Sequence, residues 1–227
     1  ICGILKPYKE KITVNGSIAP LIELGAGFDG DLTARENIFL NGAVLGHDKK
    51  FMEEHFDEIV EFAELQDFLD MPIKNYSSGM AARLGFAIAT IVKPDILICD
   101  EPTTALDVTI QAQIMDILKE LQEQLGISIV LITHNMGLVA QMASDVCVMY
   151  MGRIVEKGTR EEIFLNPRHP YTQALLKSVP VLGMANDKKL ETIPGITPNP
   201  ADLKEGCEFA DRCTYCKNEC RTGKISL

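Results

Sequence analysis

The sequence predicts an α/β fold with a mainly parallel sheet, an inserted helical subdomain at about residues 32–78 and an irregular C-terminal extension. Three observations carry this. Ile96-Leu97-Ile98-Cys99 runs straight into Asp100-Glu101-Pro102, and a short continuous apolar run reads as a strand buried on both faces. Strand-like and helix-like runs alternate from there to about residue 151, which argues for parallel pairing. Beyond Pro167 the periodicity weakens, and Pro180, Pro194, Pro198 and Pro200 punctuate the chain.

Taken in order, Lys11-Ile12-Thr13-Val14 before Asn15-Gly16 predicts a strand entering a tight turn, since Asn-Gly favours positive φ. Residues 17–24 read as the returning strand. Residues 24–30 form a glycine-rich loop that is not a GxGxxG. Thr33-Ala34-Arg35-Glu36 is a capping box that starts a helix at Ala34. A second helix over residues 49–65 places Met52, Phe56, Ile59, Val60 and Ala63 on one face. Ser77-Ser78-Gly79 opens a helix whose inward face is Met80, Leu84, Ile88 and Ile91. Its hydroxyls and free N–H groups suit an anion, or else cap the helix and nothing more.

Pro102 cannot continue a ladder, so Asp100 and Glu101 fall at the carboxyl end of the central strand. That edge is where open α/β sheets bind ligands. Two acids there suit a metal ion or a water to be activated, or else a solvated acidic turn. Asp107 precedes an amphipathic helix over residues 108–125, with Ile110, Ile114, Ile117, Leu118, Leu121 and Leu125 inward and Gly126 at its end. Residues 128–133 predict a buried strand that brings His134 to the same edge as Asp100. A helix at 136–143, a strand at 145–151 and a turn at Gly152 into residues 153–156 follow.

The 227 residues are 46% hydrophobic and 24% charged, without tryptophan, enough for one core and an appendage. The net charge of −10, concentrated in residues 53–70, speaks against nucleic acid as a partner. No apolar run approaches the ~18 residues of a membrane span, and no signal peptide opens the chain. The expectation is a cytosolic protein that meets a membrane through a partner. Seven cysteines are too many for a cytosolic disulfide framework. Cys207, Cys213, Cys216 and Cys220 cluster, with C-x-x-C spacing only in the middle pair. They are a metal site, iron–sulfur ahead of zinc, or free thiols beside Phe209. Cys2, Cys99 and Cys147 read as core, and His169 as structural.

Tyr76-Ser77-Ser78-Gly79-Met80, Ile96 to Glu101, Thr104-Ala105-Leu106-Asp107 and Leu131-Ile132-Thr133-His134 resemble, in order and spacing, the nucleotide-binding domain of ABC transporters. The resemblance implies a P-loop NTPase-like fold. It makes Ser77, Ser78, Gly79 and Met80 the signature loop, which binds the γ-phosphate of ATP held by the other subunit. Asp100 matches the Walker B acid that holds magnesium, Glu101 the catalytic carboxylate, Asp107 the D-loop acid that bridges subunits, and His134 the switch histidine. No GxxxxGK followed by Ser or Thr occurs. The resemblance puts that phosphate loop before Ile1, so the chain reads as truncated and its own ATPase activity is left open. Glu23 is the nearest polar residue to the family's Q-loop glutamine, and Asn135 stands where aspartate is common.

Residues 1–101 look like exporters of polysaccharides, teichoic acids and O-antigens. From Pro102 on, Asp107-Val108-Thr109-Ile110-Gln111, Asn166-Pro167-Arg168-His169-Pro170-Tyr171 and Ile193-Pro194-Gly195 look like ATPases of oligopeptide, dipeptide and nickel importers. That branch carries Cys207, Cys213 and Cys220 in matching positions, some members with an iron–sulfur cluster; Cys216 is a candidate fourth ligand. The implied organisation is a nucleotide-binding domain at 1–165 and an importer-type extension at 166–227. The implied function is the ATP-binding and hydrolysing subunit of a peptide importer. The alternatives are polysaccharide export and a chimera or fragment without nucleotide binding. The implied partners are transmembrane permease subunits, a second copy or a paralogous ATPase, and indirectly a substrate-binding protein, at the cytoplasmic face of the cell membrane.

Overall fold

The computed structural model describes residues 11–21, 27–104, 106–179, 192–199 and 205–223. The chain divides into two packed units, Ile1–His134 and Asn135–Leu227. Among the described residues no helix is long and apolar enough to cross a membrane.

The first unit holds three parallel strands, β1 (Ile18–Leu21), β2 (Ile96–Asp100) and β3 (Ser128–Ile132), in the order β1-β2-β3. The apolar run of β2 lies in the middle, with Leu97, Ile98 and Cys99 buried. Burial pushes the Cys99 thiol up to about 12, as befits a core residue. β3 is less covered than expected. It lies at the edge of the described sheet, and its alternate side chains Val130 and Ile132 are 42% and 47% exposed.

The strand expected at residues 11–14 does not form. Ser17 docks instead on Asp95, whose carboxylate accepts the Ser17 N–H at 2.7 Å and its hydroxyl at 2.9 Å. The chain then runs parallel to β2. Gly16, at φ +128°, is needed because a Cβ there would lie 2.8 Å from Asp95 Oδ2. The glycine marks a close approach, not a hairpin. Residues 22–26, including Glu23, and Cys2 lie outside the described residues.

The helical subdomain contains α1 (Ala34–Val44), α2 (Lys49–Glu54) and α3 (Phe56–Ala63), followed by α4 (Ser78–Thr90). The capping box forms as predicted: Glu36 Oε2 accepts the Thr33 N–H at 2.8 Å, and Thr33 Oγ1 accepts the Glu36 N–H at 3.3 Å. The single helix expected at 49–65 is two. His55 breaks it at φ −106°, where its Nδ1 bonds the Phe51 carbonyl at 2.9 Å and competes with the helical ladder. Ile38, Met52, Ile59, Val60, Leu84 and Ile88 form the shared core. The helix α5 (Val108–Leu125) ends on Gly126 at φ +65°.

The second unit contains α6 (Met136–Met142), β4 (Asp145–Tyr150), β5 (Arg153–Thr159), α7 (Arg160–Leu165), α8 (Pro170–Lys177) and α9 (Glu219–Thr222). β4 and β5 form an antiparallel hairpin, so parallel pairing belongs to the first unit. Met151 and Gly152 have φ of 51° and 79°, the two positive values that a tight hairpin turn requires. β4 turns Val146, Val148 and Tyr150 inward and leaves Cys147 exposed. Strand alternation thus corrects the reading of Cys147 as core.

Candidate functional site at the sheet edge

The ladder of β2 and β3 continues one residue past Asp100, where Glu101 N–H donates to Ile132 O at 2.9 Å. There the backbone turns. Glu101 adopts φ +47°, a left-handed conformation that costs on the order of 1 kcal/mol for a residue with a side chain.

The turn delivers the Glu101 carboxylate to His134. Oε1 accepts the backbone N–H of His134 at 3.1 Å and lies 2.7 Å from its Nδ1. Oε2 accepts the Thr104 hydroxyl at 2.9 Å. Burial works to raise the Glu101 pKa, but the hydrogen bonds from His134 and Thr104 and the field of the imidazole outweigh it and hold the pKa below its ordinary value. The group is therefore ionised at neutral pH. An ionised carboxylate only accepts, so Nδ1 carries the shared proton. The His134 side chain is 80% exposed, which leaves Nε2 open to solvent.

Asp100, half-buried at the end of β2, offers the hard oxygen donor that magnesium prefers, so it fits the ion that the resemblance implies. Asp107 caps α5, its Oδ1 accepting the Ile110 N–H at 3.0 Å. Ser77 caps α4, its hydroxyl accepting the Met80 N–H at 3.2 Å, and Ser77 and Ser78 are exposed. A cavity of about 300 Å³ opens beside them, lined by Leu65, Phe68, Ser77, Gly79, Met80 and Gln113 among others. A Cβ at Gly79 would meet the movable end of the exposed Gln113 side chain, Oε1, at 2.6 Å.

The structure thus joins Glu101 to His134, while Ser77 to Met80 stand separately at the start of α4. Two participants were not read from the sequence. Thr104 donates its hydroxyl to the carboxylate of Glu101. Gln111 donates through Nε2 to Thr103 O at 3.3 Å and Leu106 O at 3.1 Å, for which the sequence offers no local signal.

In the second unit Asn135 caps α6, accepting from Gly137 N–H at 3.0 Å. His169 caps α8, its Nδ1 accepting the Tyr171 N–H at 3.1 Å. Cys207 and Cys220 are joined through the backbone, N–H to carbonyl, at 2.7 Å. Burial pushes the Cys207 thiol up, the Phe209 N–H pulls it down, and the charges of Glu208, Cys220 and Cys213 push it up again. Cys216 is turned elsewhere, 3.5 Å from Lys217 O and beside Arg221. Among the described residues no three His, Cys, Asp or Glu side chains gather at a point that could hold a metal. The four cysteines, read from the sequence as a metal site or as free thiols, are not gathered into a ligand set among the described residues.

Comparison with known proteins gives this geometry a family. A model described as the oligopeptide/dipeptide transporter C-terminal region matches residues 155–220. An AAA domain model, described as a putative AbiEii toxin of a type IV toxin–antitoxin system, matches residues 9–140. The chain is 41% identical over 214 residues, 87% of its length, to a putative peptide import ATP-binding protein of Brucella ovis. It is 40% identical over 240 residues to a dipeptide transport ATP-binding protein of Bacillus subtilis, covering 94% of this chain and 71% of that one. The chain spans 63% of the Brucella ovis protein and 44% of a similar protein of Brucella melitensis. Among solved structures it is similar to cbiO1 from Clostridium perfringens, part of the ABC transporter complex cbiONQ. The TM-score is 0.56 at 25% identity, over 66% of this chain and 60% of that one. With its parallel sheet, its AAA-type domain and an importer-type carboxyl region, the chain belongs to the ATP-binding proteins of oligopeptide and dipeptide ABC transporters.

Proposed function

We propose that this chain is the ATP-binding and hydrolysing subunit of a peptide importer, working at the cytoplasmic face of a membrane. One observation carries the catalytic reading: an ionised Glu101 held 2.7 Å from His134 Nδ1 at the carboxyl edge of a parallel sheet. Glu101 accepts a hydrogen bond from water and orients it toward the terminal phosphorus of ATP. The new P–O bond forms as the bond to the bridging oxygen breaks, ADP leaves with that electron pair, and the water's proton passes by way of Glu101 to the phosphate formed. His134 steadies the carboxylate through Nδ1 and offers Nε2 to the phosphoryl group. Asp100 would hold magnesium, which when bound spreads the charge of the phosphate oxygens. Ser77, Ser78, Gly79 and Met80 would meet the γ-phosphate held by a second ATPase subunit, identical or paralogous, with Asp107 at the junction.

The subdomain at residues 32–78 is the surface offered to the permease subunits, and a substrate-binding protein would feed the permease without touching this chain. The peptide substrate is supported by relatives named for oligopeptide and dipeptide transport. The division at residue 165, with an importer-type extension beyond it, is part of the same reading. Polysaccharide export is the second reading, favoured by Tyr76-Ser77-Ser78-Gly79-Met80. Against it, likeness to peptide importers extends over 87% or more of the chain. An iron–sulfur or zinc site at Cys207, Cys213, Cys216 and Cys220 rests on their clustering in the sequence and on the resemblance, and no step here runs through one. The test is Glu101→Gln in the full-length protein. ATP affinity should persist by calorimetry while turnover falls about 10²-fold or more. Unchanged turnover removes Glu101 from the role.

A further inference from the structure

We infer that Thr104 and Gln111 are positioning residues that tie the orientation of Glu101 to helix α5. The inference rests on the reading of Glu101 as the carboxylate that orients water. Such a group works only if its oxygens are aimed, because misplacement by about 1 Å can cost 10²-fold in rate. His134 fixes Oε1 with two N–H groups, at 3.1 and 2.7 Å. Oε2 is fixed by the Thr104 hydroxyl at 2.9 Å.

Thr104 reaches back because residues 101–104 form a tight turn, closed by Thr104 N–H to Glu101 O at 3.1 Å. The turn is not a free loop. Thr103 is 3% exposed, and Leu106 N–H donates to Thr103 O at 3.3 Å. The Gln111 carboxamide straps both ends of this stretch, donating to Thr103 O and Leu106 O. Gln111 lies one turn into α5, where its N–H bonds the carbonyl of the capping residue Asp107 at 2.9 Å. A shift of the start of α5 therefore pulls on Gln111, then on the turn, then on the hydroxyl that aims Glu101. The same helix carries Gln113, which rests against Gly79. One rigid element thus touches both the carboxylate's support and the loop at the start of α4.

The test uses Thr104→Val, which keeps the shape and removes the hydroxyl, Thr104→Ser, which restores it, Gln111→Leu, and Glu101→Gln as the reference. In the full-length protein Thr104→Val should lower kcat about tenfold with KM for ATP unchanged. Thr104→Ser should recover it, and Gln111→Leu should fall between. Without nucleotide, the His134 Nδ1–H resonance in the NMR spectrum should broaden in Thr104→Val and Gln111→Leu and sharpen again in Thr104→Ser. Wild-type kcat together with a sharp resonance in Thr104→Val overturns the inference. Should Glu101→Gln retain turnover, the reading of Glu101 fails instead, and the resonance alone decides. Broadening then upholds positioning by Thr104, and a sharp line refutes it.

Discussion

At the sheet edge, Glu101 and His134 stand one and two residues past the ends of adjacent paired strands, and the helices α4 and α5 begin at Ser77 and Asp107 caps. At the cysteine-bearing end of the second unit, Cys207, Cys213 and Cys216 sit on short turns and Cys220 on the single-turn helix α9, all held by point contacts. Arg212 alone donates to Pro194 O, Ile193 O, Thr197 Oγ1 and Tyr150 Oη. The difference teaches what residue spacing can decide. In a ladder of fixed register, position in the strand sets where a side chain emerges. In a string of turns, the same spacing leaves direction to whichever neighbour offers a bond, as Arg221 and Lys217 do for Cys216.

The largest expected effect comes from attacking the helical core that shares a unit with the sheet. Leu84 is fully buried among Ile38, Ile59, Val60 and Ile88. Leu84→Ala should destabilise the protein by about 2–5 kcal/mol through lost burial and the cavity left behind. Urea unfolding would read this. If the comparison is right, amide exchange in β1, β2 and β3 should accelerate together, while β4 and β5 change little. Equal acceleration in both units would break it.

The same distinction explains which features were legible beforehand. Thr33 with Glu36, Ser77 and Asp107 were readable because a cap spans only three residues. β2 was readable because an apolar run ending in Pro102 leaves few alternatives. Asn15-Gly16 misled because the partner that decides Gly16 is Asp95, and Ser17 bonds it across 78 positions. The break at His55 depends on a ring that competes for the Phe51 carbonyl, and no propensity encodes that. Residue order brought His134 to the same edge as Asp100, but its bond to Glu101 appears only in the structure. The strap from Gln111 is a carboxamide reaching two backbone carbonyls, and it leaves no pattern in the sequence.

A smaller effect should separate the units by pH. His169 accepts through Nδ1 from Tyr171 N–H, so the cap needs the neutral ring. Burial lowers the His169 pKa from its ordinary 6.5, against the opposing charges of Glu156 and Glu208. The folded state then binds fewer protons than the unfolded one as pH falls. Its contribution is complete above about pH 6.5 and is lost as pH drops through the lowered folded value. His169→Asn keeps an acceptor at the cap and removes the titration. The variant should therefore lose less stability than wild type between neutral and mildly acid pH. Identical melting profiles would assign the acid sensitivity to other groups.

The smallest expected effect is the sharpest probe of the cysteine end. The family resemblance supplies Cys207, Cys213 and Cys220 but not Cys216, and the structure turns Cys216 toward Lys217 O and Arg221. Cys216→Ser keeps a small group that can bond the same partners, so stability should hold within about 0.5 kcal/mol. The iron and zinc content of protein purified without oxygen should also be unchanged. A metal site that survives this change but not Cys213→Ser would be built from the three family positions and another ligand. Loss of bound metal in Cys216→Ser would show instead that its thiolate swings inward to join the others. Metal binding would then organise these turns, as a ligand set absent from the metal-free fold can do, and the contrast with the sheet edge would hold only without metal.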